Sequence, residues 1–150
     1  MDSIDRKILN LLQLDARTPI STISEQAGAS TASVQRRLKR LRESGIIKSE
    51  IAVIDPEAVG FSITAIIAVD LERDVLKEID EFKRRARAES QVQHCYCVAG
   101  DCDFTLIVIA KDMKDYEAFT HRFFFNASNV RRFRSSIVVA REKVSSYVPL

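Results

Sequence analysis

The residues best suited to a chemical task lie in one short basic segment, between Ser30 and Lys48. Six of the 23 Lys and Arg residues of the chain fall there beside a single acidic residue, Glu43, so the segment carries a net charge of +5. The whole chain carries only +2. Lys and Arg bind the phosphates of nucleic acids, and positive charge concentrated on one element is typical of a DNA-reading helix. The segment therefore predicts contact with double-stranded DNA, with an ordinary solvated helix face as the alternative.

The same segment has the pattern of an amphipathic helix that begins after Ser30 and ends before Gly45. Ser30 is a favourable N-cap, and Gly45 suits the left-handed residue that often follows a helix. Val34, Leu38 and Leu41 recur at i, i+4 and i+7, which predicts one narrow buried stripe. The outward N-terminal half is small and polar, so it suits a major groove about 12 Å wide. The predicted DNA-binding residues are Thr31, Ser33, Gln35, Arg36, Arg37, Lys39 and Arg40.

Two shorter helical patterns precede this segment. Apolar residues at helical spacing mark a first helix over residues 3–15 and a second over residues 20–27, and Gly28 then breaks the chain. The helix over residues 20–27, the turn at Gly28 and the basic helix after Ser30 together are typical of a helix-turn-helix. Downstream, residues 46–47 and 50–54 predict a short strand. We therefore expect a winged helix-turn-helix.

The second half of the chain changes from helical periodicity to β-branched runs. Asp55 and Pro56 punctuate the change, because the residue before a proline avoids the helical region. The order of predicted elements is β-α-β-β-α-β, which is typical of the ferredoxin-like α+β fold with both helices on one face of an antiparallel sheet. The predicted strands are residues 63–71, 92–98, 104–110 and 130–139, and the predicted helix faces are Val75, Ile79, Phe82 and Ala86, then Tyr116, Phe119, Phe123 and Ala127.

These patterns predict a winged helix-turn-helix domain over residues 1–54, a linker over 55–61 and a ferredoxin-like domain over 62–150. A sheet with helices on one face leaves the other face open, and we expect that face to carry Ile, Val and Phe. Monomers rarely expose a large apolar face, so we expect a homodimer through the sheets. A dimer would also present two heads to two DNA half-sites about one helical turn apart.

Three cysteines, Cys95, Cys97 and Cys102, lie within eight residues. Their spacing is weak for a metal site, and their odd number does not suit a disulfide framework. Cys95 and Cys97 share one face of a predicted strand, whereas His94 points to the other face. We interpret the cysteines as structural thiols and expect no metal, with a redox or metal role as the alternative.

Composition limits the class of protein only broadly. The 150 residues are 46% hydrophobic and 29% charged, which is ordinary for a soluble globular protein. The first predicted helix leaves no room for a signal peptide, and the longest apolar run, residues 65–69, is too short to cross a bilayer. We expect a cytoplasmic protein. Without a Walker loop or a nucleophile–base pattern, we do not expect an enzyme, although four side chains are chemically capable: Asp101, Asp103, His94 and Cys95.

Two stretches of the chain together resemble a known family. The first is DSIDRKILNLLQLDARTPISTISEQAGASTASVQRRLKRLRESGIIKSEIAVIDPEAVGF, and the second is VQHCYCVAGDCDFTLIV followed by DMKDYEAF. They are similar to the head and the ligand-sensing domain of the Lrp/AsnC, or feast/famine, transcription regulators, and they occur in the same order and at the same distance. The resemblance implies dimers that assemble to tetramers or octamers, and a small effector, usually an amino acid, bound between sensing domains.

The resemblance also implies a set of effector-binding residues. Gly100, Asp101 and Asp103 match the family's Gly-Asp-x-Asp turn, and Ser135 and Ser136 fall where the family often has a hydroxyl on the last strand. Carboxylates suit the ammonium group of an amino acid, and backbone N–H groups and hydroxyls suit its carboxylate. The alternative is a plain hairpin turn, since Gly and Asp are favoured there for backbone reasons. His94 and Tyr96, on the strand before the turn, are secondary candidates.

The chain departs from the family pattern close to the implied ligand site. Asn126-Ala127-Ser128-Asn129-Val130 replaces a Leu-Pro-Gly-Val-like turn, Phe123-Phe124-Phe125 is unusually aromatic, and Cys102 stands inside the Gly-Asp-x-Asp turn. Arg131, Arg132 and Arg134 make the start of the last strand basic. We expect a sequence-specific transcriptional regulator tuned by a small effector, without a cofactor. The alternatives are an effector-independent architectural regulator and a sensing protein whose DNA head is vestigial.

Overall fold

The computed structural model of the chain describes residues 1–73, 75–126 and 129–150, and it divides into two units. The first unit, which we call the head, comprises Met1–Val53 together with Lys143–Leu150. The second unit, the body, comprises Ile54–Glu142. The stretch Lys143–Leu150 thus groups with the head, although it follows the body in the chain. None of the described helices combines the length and the apolar character needed to cross a membrane.

Three helices form the head: α1 over Ser3–Leu14, α2 over Ile20–Ala27 and α3 over Thr31–Glu43. Gly28 joins α2 to α3 with a φ of 70°, a left-handed conformation that side chains with a Cβ rarely adopt. The predicted helix-turn-helix is therefore confirmed, and its helix boundaries lie within one residue of expectation. All three helices contribute to its buried core: Ile8, Leu9, Ile23, Ala27, Val34, Leu38 and Leu41.

The predicted strand of the wing is wrong. Residues 46–54 form no strand, because none of the described strands lies beside them, and a strand needs a neighbour for its N–H and C=O groups. An ion pair holds this segment instead: the Arg42 guanidinium donates to both carboxylate oxygens of Glu50, at 2.9 and 3.1 Å. This segment leaves four β-branched side chains exposed: Ile46, Ile51, Val53 and Ile54.

The body contains the predicted β-α-β-β-α-β order. Its elements are β1 (Ile63–Leu71), α4 (Leu76–Ala88), β2 (Val92–Cys97), β3 (Phe104–Ala110), α5 (Met113–Thr120) and β4 (Val130–Ile137). The sheet order is β2-β3-β1-β4, and all three neighbouring pairs are antiparallel. This confirms the ferredoxin-like fold and places β2 and β4 at its two edges. β2 ends one residue earlier than predicted and β4 two residues earlier.

The two helices cover one face of this sheet and close the core of the body. Side chains alternate between buried and less buried along β3, and Ala65, Ile67 and Val69 of β1 are fully buried. Val75, predicted on the face of α4, is instead its N-cap and is 54% exposed, while Ala127 lies outside the described residues. The other predicted helix-face residues pack in this core as expected: Ile79, Phe82, Ala86, Tyr116, Phe119 and Phe123.

The run of three phenylalanines belongs mainly to this core. After α5 the chain continues into a π-helical turn over His121–Phe125, and this turn buries Phe123 and Phe124. The ring of Phe124 stacks on Phe133 of β4, with 4.3 Å between the ring centroids. Phe125 is 65% exposed.

The opposite face of the sheet, which we call the open face, is more polar than expected. Ile66 of β1 and Ile107 of β3 are cross-strand partners near its centre, and Ile66 is 42% exposed. We expected Ile, Val and Phe on this face, but Phe104 and Val108 of β3 are buried against the helices because alternate residues of a strand point to opposite faces. The open face therefore combines a small apolar centre with polar edges.

We expect Phe119→Ala to lower the free energy of unfolding by about 3–5 kcal/mol, because the Phe119 ring is fully buried and its removal leaves a cavity. Phe125→Ala is the matched control and should change the free energy by less than about 1 kcal/mol, since that ring is mostly exposed. Urea denaturation monitored by circular dichroism measures both. Equal losses in the two variants would contradict this account of the core.

Candidate nucleic-acid interface and ligand site

The recognition helix α3 presents the side chains that the sequence predicts for DNA. The Ser30 hydroxyl accepts a hydrogen bond from the Ser33 N–H at 3.3 Å and caps the start of the helix. Val34, Leu38 and Leu41 form the buried stripe. The solvent face of the helix keeps Thr31, Gln35, Arg36, Lys39 and Arg40 exposed, and Ser33 is half-buried. This face combines a polar N-terminal half with cationic residues on the second and third turns.

A buried carboxylate holds the recognition helix in place. The Asp5 side chain of α1 is only 1% exposed, and it accepts hydrogen bonds from Arg37 at 2.8 Å and from Arg40 at 2.6 Å. The Asp2 backbone N–H donates to the same carboxylate at 3.0 Å. Asp2 also accepts from Arg37, at 2.7 Å. Two acids at the N-terminus of α1 thus bind two arginines of α3.

These contacts change the proton affinities of the groups involved. Burial alone would raise the pKa of Asp5, but the hydrogen bonds from Asp2 and Arg37 and the charge of Arg40 outweigh it, so the pKa lies below its ordinary value. The hydrogen bonds to Asp2 and Asp5 raise the pKa of Arg37. The Arg37 side chain is only 17% exposed, whereas that of Arg40 is 59% exposed. Arg37 therefore positions α3, and Arg40 keeps a cationic surface toward solvent.

The sequence analysis missed Asp2 and Asp5 as parts of this interface. The signal was available, because the two residues form a capping box in which each carboxylate accepts the backbone N–H of the other, at 2.9 and 3.0 Å. Acids three residues apart at the start of a helix predict this motif. The sequence does not reveal that the same two carboxylates also bind arginines of α3.

The Gly100–Asp103 turn joins β2 to β3 and is part of the sheet as well as a candidate ligand site. The Asp103 carboxylate accepts from the Leu71 N–H at 2.7 Å, and the Asp103 N–H donates to the Val69 carbonyl at 3.0 Å. Asp103 thus secures the end of β1. Gly100 and Asp101 are exposed, so Asp101 is the carboxylate of this turn that faces solvent.

The two candidate serines of β4 lie on opposite faces of the sheet. Ser135 is the partner of Ile67, whose side chain faces the helices, and its hydroxyl accepts a hydrogen bond from Tyr116 of α5. Ser136 is the partner of Ile66 on the open face. Ser136 pairs with Ile66, whereas Asp103 of the turn is bonded to Val69, which lies three residues, or about 10 Å, further along β1. In the sheet, β1 also lies between β4 and β3, the strand that follows the turn. A single chain therefore does not bring the two serines and the Gly100–Asp103 turn together.

The two secondary candidates on β2 share the open face, whereas Cys95 between them lies on the other face. His94 and Tyr96 pair with open-face residues of β3, and their rings stack with 5.8 Å between centroids. Cys95 pairs with buried Leu106, and burial raises the pKa of the Cys95 thiol. A raised pKa leaves less of the reactive thiolate at neutral pH, which favours a structural thiol.

The open face contains a second buried carboxylate, where β1 pairs with the edge strand β4. Asp70 of β1 is 4% exposed, and Arg132 and Arg134 of β4 donate to its Oδ2 at 2.9 and 3.3 Å. The hydrogen bond from Arg132 is the largest cause that lowers the pKa of Asp70. Two of the three arginines that depart from the family pattern therefore neutralise a buried acid.

Comparison with known proteins adds to this geometry. Residues 1–42 match the model of the AsnC-type helix-turn-helix domain, and residues 64–148 match the model of the Lrp/AsnC ligand binding domain. The chain belongs to the Lrp/AsnC family. As a member of that family it is a transcriptional regulator with a helix-turn-helix and a ligand-binding domain, and relatives that match its full length are regulators rather than enzymes.

Lrp/AsnC relatives match this chain over nearly its whole length. An uncharacterized HTH-type transcriptional regulator of Sinorhizobium fredii is 39% identical over all 150 residues, which cover 89% of that protein. The structure of a Neisseria meningitidis transcriptional regulator in complex with L-Met is similar with a TM-score of 0.93 and 28% identity, over 99% of this chain and 96% of that one. The feast or famine regulatory protein of M. tuberculosis complexed with L-methionine has a TM-score of 0.89 and 30% identity, over 98% and 97% of the two chains.

The lowered pKa of Asp5 predicts that acid weakens the head. A carboxylate with a lowered folded-state pKa stabilises the fold fully above its unfolded-state pKa of about 4, and this stabilisation is lost as the pH falls through the folded-state pKa. Asp5→Asn should be less stable at pH 7 and should respond less to acid between pH 5 and 3. Urea denaturation across this pH range is the measurement, with Glu25→Gln, an exposed acid of α2, as the control. An unchanged pH dependence in Asp5→Asn would refute this role.

Proposed function

We propose that this Lrp/AsnC regulator binds a specific double-stranded DNA sequence as a homodimer, and that a small amino acid alters its assembly and DNA affinity. The observation that carries the DNA part is the exposed face of α3. Its N-terminal half offers Thr31, Ser33 and Gln35 to base edges in the major groove, and its second and third turns offer Arg36, Lys39 and Arg40 to phosphates. Arg37 supports this face from behind through Asp2 and Asp5.

The open face of the body supports the homodimer. Ile66 is 42% exposed at its centre and its neighbours Ile107 and Ile109 are only half-buried, which is unfavourable for a face left in water. A second copy placed on this face would cover the apolar centre and would bring two heads to one DNA molecule. Further assembly to tetramers or octamers is part of the proposal and follows the family resemblance.

The DNA proposal is tested with the sequence that the protein selects from a random double-stranded DNA pool. Arg36→Ala should weaken binding to the selected and to unrelated DNA by a similar factor, and should reduce the slope of log K against log salt by about 0.9 for each phosphate that the variant no longer neutralises. Arg84→Ala, an exposed arginine of α4, is the control. Fluorescence anisotropy at several salt concentrations measures both, and an unchanged slope in Arg36→Ala would contradict the assignment.

The effector proposal rests on the turn and on the solved relatives. Two of them, from N. meningitidis and M. tuberculosis, are complexes with L-methionine. In this chain Asp101 offers an exposed carboxylate to an ammonium group, while Gly100 and Ser136 offer donors to a carboxylate. Because Ser136 is remote from the turn of its own chain, we propose that the site is completed by two copies. Asp103 and Ser135 then support the site, the first through the end of β1 and the second through Tyr116.

A thermal-shift screen against the twenty amino acids tests the effector. A ligand present at one hundred times its Kd should stabilise the folded state by about 2.7 kcal/mol, which raises Tm by several degrees. Asp101→Ala should abolish the shift, and Asp80→Ala, an exposed acid of α4, should retain it. A selective shift that survives in Asp101→Ala would move the site away from the turn. Sequence-specific DNA binding without any shift would favour the architectural regulator.

A further inference from the structure

The segment Lys143–Leu150, which we call the return segment, is bound to α1 by specific hydrogen bonds. The side-chain amide of Gln13 makes two of them with the backbone of Val148: it accepts from the Val148 N–H at 2.7 Å and donates to the Val148 carbonyl at 3.0 Å. The Tyr147 hydroxyl donates to Asn10 at 3.1 Å. Asn10 and Gln13 lie three residues apart, so both project from one side of α1.

The core of the head is complete without the return segment. The buried apolar cluster of the head draws its members from the three helices, and the side chains that pack at its margin lie between Ile4 and Ile47. Tyr147 and Val148 are 46% and 56% exposed, so they add little apolar burial. The hydrogen bonds of Gln13 and Asn10 therefore attach a segment that contributes little to the buried core of the head.

The attachment gives the chain a second connection between head and body. The first connection runs through residues 46–55, which contain no helix or strand and expose most of their apolar side chains. The second follows β4, whose continuation is fixed to the body by a hydrogen bond from the Val138 N–H to the Thr64 carbonyl at 2.9 Å. A head joined through one irregular segment has many orientations available, whereas a second attachment closes a loop and removes many of them.

We propose that the Asn10–Gln13 side of α1 is a docking site for the return segment, and that docking restrains the head so that two heads engage two half-sites together. This inference rests on the proposed function. When the first head of a dimer is bound, the second head binds with an effective concentration that depends on how freely it moves. Release of the return segment lowers that concentration. It leaves the DNA-contacting face of α3 unchanged.

The test compares Gln13→Ala with Leu14→Ala in the full chain. Gln13→Ala removes both hydrogen bonds to Val148, and Leu14 is a neighbouring α1 side chain that is 78% exposed. Binding is measured by fluorescence anisotropy on two DNA molecules, the selected sequence with two half-sites and the same molecule with one half-site scrambled. Gln13→Ala should bind the two-site DNA about three- to tenfold more weakly and the one-site DNA equally well. Leu14→Ala should match the unaltered chain on both.

Amide hydrogen exchange of Val148 supplies a readout that is independent of DNA. The Val148 amide should exchange more slowly in the unaltered chain than in Gln13→Ala. Fast exchange in the unaltered chain, or an equal loss of affinity on one-site and two-site DNA, would overturn the proposal. Slow exchange in the unaltered chain with unchanged two-site affinity in Gln13→Ala would overturn its role in DNA binding. Failure of the unaltered chain to bind any selected DNA would refute the proposed function itself, while the exchange measurement would still decide whether the segment docks.

Discussion

Burying a carboxylate is unfavourable unless cations surround it, and each unit of this protein meets that requirement with a pair of arginines. In the head, Asp5 binds Arg37 and Arg40, and in the body, Asp70 binds Arg132 and Arg134. Each acid belongs to one element and its arginines to another, so the ion pairs fix the two elements relative to each other. In the head this arrangement fixes the position of the recognition helix α3 relative to α1. In the body it joins the central strand β1 to the edge strand β4.

The spacing of apolar residues and the β-branched runs in the sequence predict most of the fold. Apolar residues at helical spacing predicted the three helices of the head, and β-branched runs predicted β1 and β3 with their observed bounds. The prediction of a wing strand was wrong because residues 46–54 have a strand-like composition but no neighbouring strand among the described residues. Composition reports what a segment tolerates, whereas a strand also depends on what lies beside it. The Asp5 contacts were missed for a similar reason, since they join residues more than thirty positions apart.

The candidate ligand residues show a different limit of sequence reasoning. Ser135 and Ser136 are adjacent in the chain, and adjacency on a strand places them on opposite faces of the sheet. A motif match treats both as equivalent, but the pairing register separates the one that reaches Tyr116 from the one on the open face. Asp103 likewise has a backbone partner that its motif does not reveal. The sequence alone points to the turn as a candidate site, whereas the pairing register of the strands shows which face of the sheet each side chain lies on.

The edge position of β4 has a consequence for how copies of this protein can associate. One side of β4 pairs with β1, and its other side has no partner strand among the described residues, so its backbone groups could pair with strands of neighbouring molecules. Arg131, Arg132 and Arg134 give that border positive charge. Two such borders repel each other, which disfavours edge-to-edge pairing of their strands. The homodimer that we propose uses the faces of the sheets instead, and contact between faces can close on itself under rotational symmetry.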